Sequence, residues 1–539
     1  MQEKTVARSV AIIGSGVTGL AAIKCCLDEG LQPTCFEKSD TIGGLWVYRD
    51  GTDFQMTGSV FKSSVTNTSK EAMCFSDFPF PKQWPNFLRN ADMKKYCDLY
   101  AEKFGLTEHI RLSTRVTCLS QAPDYNTTGR WVVTSRQQES GDGVTSQVFD
   151  SVMICTGMFN NPFRPNFPGL SDFQGRVMHS HDYRKPVGFD DKRVVIIGFG
   201  NSAIDAAVDL SRCASQVFLS KRRGAWLVSR RADNGYPYDL MHLRRYRLIL
   251  SELREMSFKK MLRSRYELIN HALQPAGNFR RCNNRVINEE LPGSILNGSV
   301  VIKAAPEHFT KTGLVFKDGS FEDDIDVVII ATGYSFTLPF KVDCPALETD
   351  PRLGRLPLYK LLFPLGLAHN TLSVNGAFEL LGPVIPCVEL QARWASRVFK
   401  GLAKLPPQSE MAAVALETVN GFDVPCVRYV THVGYADSIA SEIGVRPSPF
   451  KLFFQDPELA LRCMFGPHVP YQYRLVGPGR WAGAREAIKT VWERVLAPTK
   501  TRHEDPRERS LSTISALLGI FTLMLVQSLL LIYNFICSF

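Results

Sequence analysis

The chain has 539 residues, 45% hydrophobic and 22% charged, a balance that excludes disorder and implies two or three globular domains. Its net charge is +10 and its pI about 8.9, yet no zinc finger, RNA-recognition motif or long Lys/Arg block accompanies that charge, so nucleic acid is not an expected partner. The 14 cysteines are scattered, with Cys25 and Cys26 adjacent and no C-x-x-C spacing, which implies neither a metal site nor a disulfide scaffold.

Met1–Arg8 is polar, and no signal peptide is expected. Arg8–Ile13 reads as a buried strand, Gly14-Ser15-Gly16-Val17-Thr18-Gly19 as a turn, Leu20–Glu29 as a helix and Pro33–Phe36 as the next strand. Ser151–Ile154 is strand-like. The β–turn–α–β pattern then recurs: Arg193–Ile197, the turn Gly198-Phe199-Gly200-Asn201-Ser202-Ala203, the helix Ile204–Arg212 and the strand Gln216–Leu219. Asp233–Asn288 is basic and aromatic, with helical stretches such as Ser251–Leu273. Asp326–Ile330 is a strand ending in Ala331-Thr332-Gly333.

Both turns have G-x-G-x-x-G/A form between strand and helix. Glycine permits the tight turn and lets the backbone approach a pyrophosphate at the helix N-terminus. The two units differ after the second strand. Glu37 stands 23 residues after Gly14, where a carboxylate accepts hydrogen bonds from ribose hydroxyls; the same count from Gly198 reaches Lys221, followed by Arg222 and Arg223. A carboxylate repels a 2′-phosphate and a Lys/Arg cluster grips it. Gly43 and Gly44 follow Glu37 at a spacing seen in FAD enzymes. FAD in the first unit and NADPH in the second are the expected cofactors.

The expected fold is α/β, with two Rossmann-like dinucleotide-binding domains, the NADPH domain inserted in the FAD domain. The boundaries are 1–170 and 326–497 for the FAD domain and 171–325 for the NADPH domain, with its helical insertion at about 233–290. A linker, 498–510, leads to a transmembrane anchor, 511–536. After Arg509 no charged residue occurs, and Ile514–Ile536 is almost wholly apolar, long enough for a spanning helix. Arg507 and Arg509 before it place the body in the cytosol by the positive-inside rule.

Phe173-Gln174-Gly175-Arg176-Val177-Met178-His179-Ser180-His181-Asp182-Tyr183 fits F-x-G-x-x-x-H-x-x-x-Y, and is similar to the identifying motif of flavin-containing monooxygenases and the related Baeyer–Villiger enzymes. Ser69–Phe75, Asp233–Pro237, Ala331–Phe336 and Gly477–Arg485 also resemble the animal microsomal family. Ser220–Arg230 and Phe321–Phe336 resemble its Baeyer–Villiger-active mammalian form.

The resemblance implies that Gly14, Ser15, Gly16, Val17, Thr18 and Gly19, with Glu37, Gly43, Gly44, Leu45, Trp46, Asn67 and Thr68, serve FAD. Thr66, Asn67, Gly198, Gly200, Ser202, Ala203, Ile204, Asp205, Lys221 and Arg222 serve NADPH. Asn67 is the one catalytic candidate, its amide steadying a flavin C4a-hydroperoxide that oxygenates amines or thioethers. His179 is implied to order the hinge between domains, without acid–base work. The implied partners are O2, small nucleophiles, ketones in a Baeyer–Villiger alternative, and the endoplasmic reticulum membrane. A homo-oligomer is compatible with the resemblance, and a poorly coupled NADPH oxidase is the other alternative. Two departures bear on the substrate entrance: Gln55–Phe61 replaces a familiar segment before the asparagine loop, and Met158 and Phe159 stand where two histidines are usual. A disulfide reductase would need a redox cysteine pair near the flavin, and none is visible.

Overall fold

Three runs of apolar residues, Val10–Ile13, Val194–Ile197 and Val327–Ile330, are buried throughout. Such runs, unlike alternating ones, suit parallel strands covered on both faces. The computed structural model describes residues 8–51, 58–137, 143–222, 224–241, 285–348, 356–378, 380–420 and 430–501, with isolated positions at 256, 260 and 273. In it the runs lie at the centres of two five-stranded parallel sheets.

The first sheet has the order Leu372–Val374, Ser151–Ile154, Ser9–Ile13, Gln32–Phe36, Ile110–Arg111. The second has the order Val300–Lys303, Gln216–Ser220, Arg193–Ile197, Val327–Ile330, Arg176–His179. Each central strand runs through its glycine turn into a helix, Val17–Asp28 or Asn201–Leu210. Both helices begin earlier than the apolar pattern suggests, because the turn's last residues already have helical geometry.

The pairing corrects one expected boundary. Val327–Ile330 does not open the return to the first domain at 326. It is an inner strand of the second sheet, in register with Val194–Ile197. The chain rejoins the first body at Lys341–Asp343, which pairs with Thr114–Gln121 in a four-stranded sheet, and re-enters the first parallel sheet at Leu372–Val374. The bulk of the proposed insertion, 242–284 apart from three positions, lies outside the described residues, as does the proposed anchor. Among the described residues no helix is long and apolar enough to cross a membrane.

Two segments cross between the sheets, and they pair with each other. Pro162 and Tyr334 form an antiparallel bridge; the amide of Phe163 donates to the Gly333 carbonyl at 2.9 Å and that of Ser335 to the Asn161 carbonyl at 2.9 Å. This paired crossing is the hinge between the bodies.

The first body is closed by the helix Ile385–Lys400, which packs on Val17–Asp28. Beneath it lies a buried charge network. Arg474, 1% exposed, bonds Glu389 at 2.6 Å, Asp77 at 2.9 Å and the Ser76 hydroxyl at 2.6 Å. Glu389 also accepts from the Ser76 amide at 2.7 Å, and Lys24 pairs with Asp77 at 2.6 Å. The Gly477–Arg485 motif wraps this arginine: its fourth guanidinium contact is the Gly479 carbonyl at 2.8 Å, and the Trp481 amide donates to the Arg474 carbonyl at 3.0 Å.

Deleting one partner of a buried ion pair strands the other charge, at about 3–5 kcal/mol. Glu389→Leu removes the principal anion and leaves two Ser76 donors unpaired. It should lower unfolding stability by about that amount in denaturant titrations; a loss below about 1 kcal/mol would mean that water solvates the cluster.

Candidate active site

At the first turn, Gly14 has φ +101°, and a Cβ there would stand 2.7 Å from the Cys155 carbonyl oxygen. Its amide donates to the Phe36 carbonyl at 2.8 Å. Helix Val17–Asp28 starts at Gly16 with no side-chain cap, so its first-turn amides have no side-chain acceptor. Glu37 is buried. One of its oxygens accepts from the Ser15 amide at 2.7 Å and hydroxyl at 2.9 Å, the other from the Ser39 amide at 2.9 Å. The carboxylate thus clasps the glycine turn to the second strand and still has lone pairs for a ribose. Gly43 and Gly44 close the same turn from outside: the Gly43 amide donates to the Ser15 carbonyl at 3.1 Å, and a Cβ on Gly44 would lie 2.9 Å from Gly16 Cα. Leu45 and Trp46 follow, half-buried, in the short turn Gly44–Trp46. Val17 and Thr18 open the helix, and Thr18 lies beside Gly376.

The second turn repeats this geometry. Gly198 has φ +137°, and a Cβ there would meet the Ala331 carbonyl oxygen at 2.1 Å. Helix Asn201–Leu210 begins at Gly200, again without a side-chain cap. Ser202 is exposed, whereas Ala203 and Ile204 are fully buried in the core, so only their amides are placed to meet a ligand. Asp205 accepts from the Asn288 side-chain Nδ2 at 3.0 Å, and burial pushes its carboxyl up to about 6 against the pull of Arg230. Beyond the strand end Ser220 stand half-buried Lys221 and exposed Arg222, and burial lowers the Lys221 ammonium pKa. Arg223 lies outside the described residues.

The loop Phe61–Ser69 carries the expected Thr66, Asn67 and Thr68, and the structure adds Asp209, Arg230 and Asp239, which face it and which motif reading missed. Thr66 is buried; its hydroxyl accepts from the Leu88 amide at 2.9 Å and donates to the Thr68 carbonyl at 3.0 Å. The Thr68 hydroxyl donates to the Met73 sulfur at 3.2 Å. Asn67, half-buried, does not cap the helix Lys70–Met73, whose N-cap is Ser69. Its Oδ1 accepts from Arg230 at 2.9 Å, and Arg230 also donates to the Thr66 carbonyl at 3.2 Å. Asp239 accepts from the Ser69 amide at 2.6 Å, and Asp209 accepts from Ser63 at 3.1 Å. Arg230 belongs to a basic run in sequence, which hides its specific partners. The Asp233–Pro237 motif is a tight turn, with the Ala232 amide donating to the Tyr236 carbonyl at 2.7 Å, and it leads directly to Asp239.

His179 is fully buried at the hinge. Its Nδ1 accepts from the His181 amide at 3.0 Å, and its ring meets Tyr334 edge-on at 5.5 Å. Burial, then the Arg164 charge, lowers its pKa to about 4, so it is neutral near pH 7. That fits an ordering role better than proton transfer.

Two uncapped helix N-termini behind glycine turns of positive φ, a carboxylate beside one and cations beside the other, fit the class of oxidoreductases with two dinucleotide sites. The residues present fit FAD at the first turn and NADPH at the second. A family model described as flavin-binding monooxygenase-like matches residues 7–534. Flavin-containing monooxygenase 5 of Rattus norvegicus is 43% identical over 534 residues, 96% of this chain and 98% of that protein. Dimethylaniline monooxygenase (N-oxide-forming) 2 of Mus musculus is 40% identical over 534 residues, again 96% and 98% of the two chains. Among solved structures, S-allyl-L-cysteine S-oxygenase from Allium sativum shares the fold at TM-score 0.62 and 24% identity, covering 90% of this chain and 99% of that one. NADP+-bound cyclohexanone monooxygenase from Rhodococcus sp. Phi1 does so at 0.59 and 16%, covering 81% and 98%. The chain belongs to the flavin-binding monooxygenase-like family, and it is an enzyme that uses FAD and NADPH.

Gly14→Ala tests the first turn. The added methyl meets the Cys155 carbonyl, whereas Gly157→Ala has positive φ with open space around it. Backbone strain costs on the order of 1–3 kcal/mol in either case, and collision adds to it only at Gly14. Flavin content of the purified protein should fall sharply in Gly14→Ala and modestly in Gly157→Ala. Equal losses would remove the close approach from the explanation.

Proposed function

We propose that the protein uses NADPH and O2 to oxygenate small soft nucleophiles, tertiary amines and thioethers. NADPH supplies two electrons, one oxygen atom enters the substrate and the other leaves as water. The observation that carries the proposal is the Asn67 loop of the first body, fastened by Asp209, Arg230 and Asp239 of the second. The N-oxide-forming name of relatives at 40% identity supports the amine class.

Bound FAD supplies the activation of O2, which no side chain does unaided. The chain's own work is holding and shielding. The uncapped helix ends take the pyrophosphates. Glu37 takes the ribose of FAD. Lys221 and Arg222 take the 2′-phosphate of NADPH. We assign Asn67 to the junction of flavin and nicotinamide, where its amide keeps the activated oxygen from being lost as H2O2. Met158 and Phe159 make the entrance apolar; Phe159 is 40% exposed and packs on Tyr334 at 5.5 Å.

Asn67→Ser is the deciding variant. It should keep FAD, because the first turn is untouched, while product per NADPH falls and H2O2 makes up the difference. An unchanged ratio on flavin-normalised enzyme removes Asn67 from catalysis. A ketone in the same assay decides the substrate class: ester formed in preference to N-oxide or sulfoxide would move the proposal to Baeyer–Villiger oxidation.

Arg222→Ala should raise the apparent NADPH KM at least about tenfold, the worth of one charge-assisted contact, and leave NADH kinetics nearly unchanged. Equal effects on both would show that Arg222 does not read the phosphate.

We further propose that the run Ile514–Ile536 anchors the enzyme in the endoplasmic reticulum membrane with its body in the cytosol. Removing Ser510–Phe539 should release the protein into high-salt washes that fail to extract the full chain. Salt extraction of the full chain would refute a spanning helix.

A further inference from the structure

Arg230 stands two residues past the strand Trp226–Val228, in the second body, yet its guanidinium reaches the first. Nη2 donates to Asn67 Oδ1 at 2.9 Å and Nε to the Thr66 carbonyl at 3.2 Å. The guanidinium also lies within electrostatic reach of a charge of opposite sign. Asp205, on the helix of the second glycine turn, feels Arg230 as its largest favourable charge. The loop's other fastenings are to its backbone or to Ser63, so Arg230 is the described side chain that bonds the Asn67 amide itself.

A guanidinium has donors only. The amide oxygen of Asn67 must therefore face Arg230, and the NH2 is presented at the opposite edge. Without a charged partner, a terminal amide turns about a soft, roughly two-fold torsion, and a half-turn exchanges donor for acceptor. A residue whose task is to donate to activated oxygen would then offer a lone pair half of the time.

We propose that Arg230 is a positioning residue that locks the Asn67 amide with its NH2 presented away from the guanidinium, and so sets the fraction of NADPH converted into oxygenated product. The proposal rests on the assignment of Asn67 to the junction of flavin and nicotinamide. It also makes that orientation depend on the second body, since Arg230 and Asp205 both belong there.

The test uses the full-length, flavin-loaded enzyme with NADPH, O2 and a tertiary amine, measuring product, H2O2 and NADPH together. Arg230→Met should lower product per NADPH by about twofold or more, as expected for an amide turned the wrong way about half of the time, with H2O2 rising to match. The NADPH KM should move by less than about twofold, because no ground-state nucleotide contact is removed. Arg230→Lys should recover part of the ratio, since its single nitrogen serves two acceptors less well. The double variant Arg230→Met/Asn67→Ser should be no worse than Asn67→Ser alone. A raised KM with an unchanged product ratio would make Arg230 a nucleotide ligand and overturn the proposal. If Asn67→Ser uncouples and Arg230→Met does not, the positioning role fails while Asn67 stands. If Asn67→Ser itself leaves the ratio unchanged, the assignment of Asn67 fails first. Should Arg230→Met retain no flavin, Arg230→Lys decides alone, and an unchanged ratio there overturns the proposal.

Discussion

Everything else in this molecule hangs on one steric constraint used twice. A glycine at the end of each central strand lies so close to the neighbouring strand's exit that a Cβ would stand 2.7 Å from the Cys155 oxygen in the first sheet and 2.1 Å from the Ala331 oxygen in the second. The equivalence extends to the hydrogen bonds. The Cys155 amide donates to the Ile13 carbonyl at 2.9 Å, and the Ala331 amide to the Ile197 carbonyl at 2.8 Å. Both residues begin X-Thr-Gly segments that leave their sheets and enter the hinge. The turn that opens a helix N-terminus toward a pyrophosphate therefore also fixes where the crossing starts. A side chain at Gly14 or Gly198 would disturb the ligand cradle and the domain connection together.

Electrostatics gives the two equivalent turns different tasks. Each helix begins without a side-chain cap, leaving amides and the positive end of the dipole to an anion, which stabilises such a ligand by roughly 0.3–1 kcal/mol per charge when exposed and more when enclosed. The side chains just past the second strand of each unit differ in sign. Glu37 has three protein donors, and these hold its charge in place while it is buried. Lys221 and Arg222 reverse the local sign. The Arg474 network serves another end. Buried ion pairs contribute little net stability relative to apolar packing, but this one joins Lys24 of the first helix, Glu389 of Ile385–Lys400 and the Gly477–Arg485 wrap in a single arrangement.

Much of this was legible in the sequence because it is written locally. The runs VAII and VVII announce buried strands, and the glycine spacing announces the turns. Glu37 and Lys221 announce the difference between them. Partner choice is not local. Val327–Ile330 reads as a buried strand in either sheet, and only pairing with Val194–Ile197 assigns it to the second. The motif names Ala203 and Ile204, but spacing does not show that their side chains face the core. Arg230 looks like one more member of a basic run, because its partners lie 163 and 164 residues away. Glu37 stands out in the sequence as a carboxylate at the end of the second strand, whereas its clasp on Ser15 depends on the turn's actual backbone path.

The loop Phe61–Ser69 is where the two bodies act on each other. It is continuous with the first body, and the second holds it along its length. The Lys62 amide donates to the Arg184 carbonyl at 2.8 Å, Ser63 to Asp209 at 3.1 Å and the Ser69 amide to Asp239 at 2.6 Å, while Arg230 donates to Asn67 at 2.9 Å. Opening the hinge far enough to separate the bodies must break these bonds. Each is worth only about 0.5–1.5 kcal/mol net, because water replaces the lost partner, and somewhat more where a charge is involved. Together they favour the observed arrangement of the two bodies by a few kcal/mol. Asn67 cannot keep its orientation through such an opening, since the donor that fixes it moves with the second body. The Asn67 amide is therefore held in this orientation only while the two bodies keep this contact.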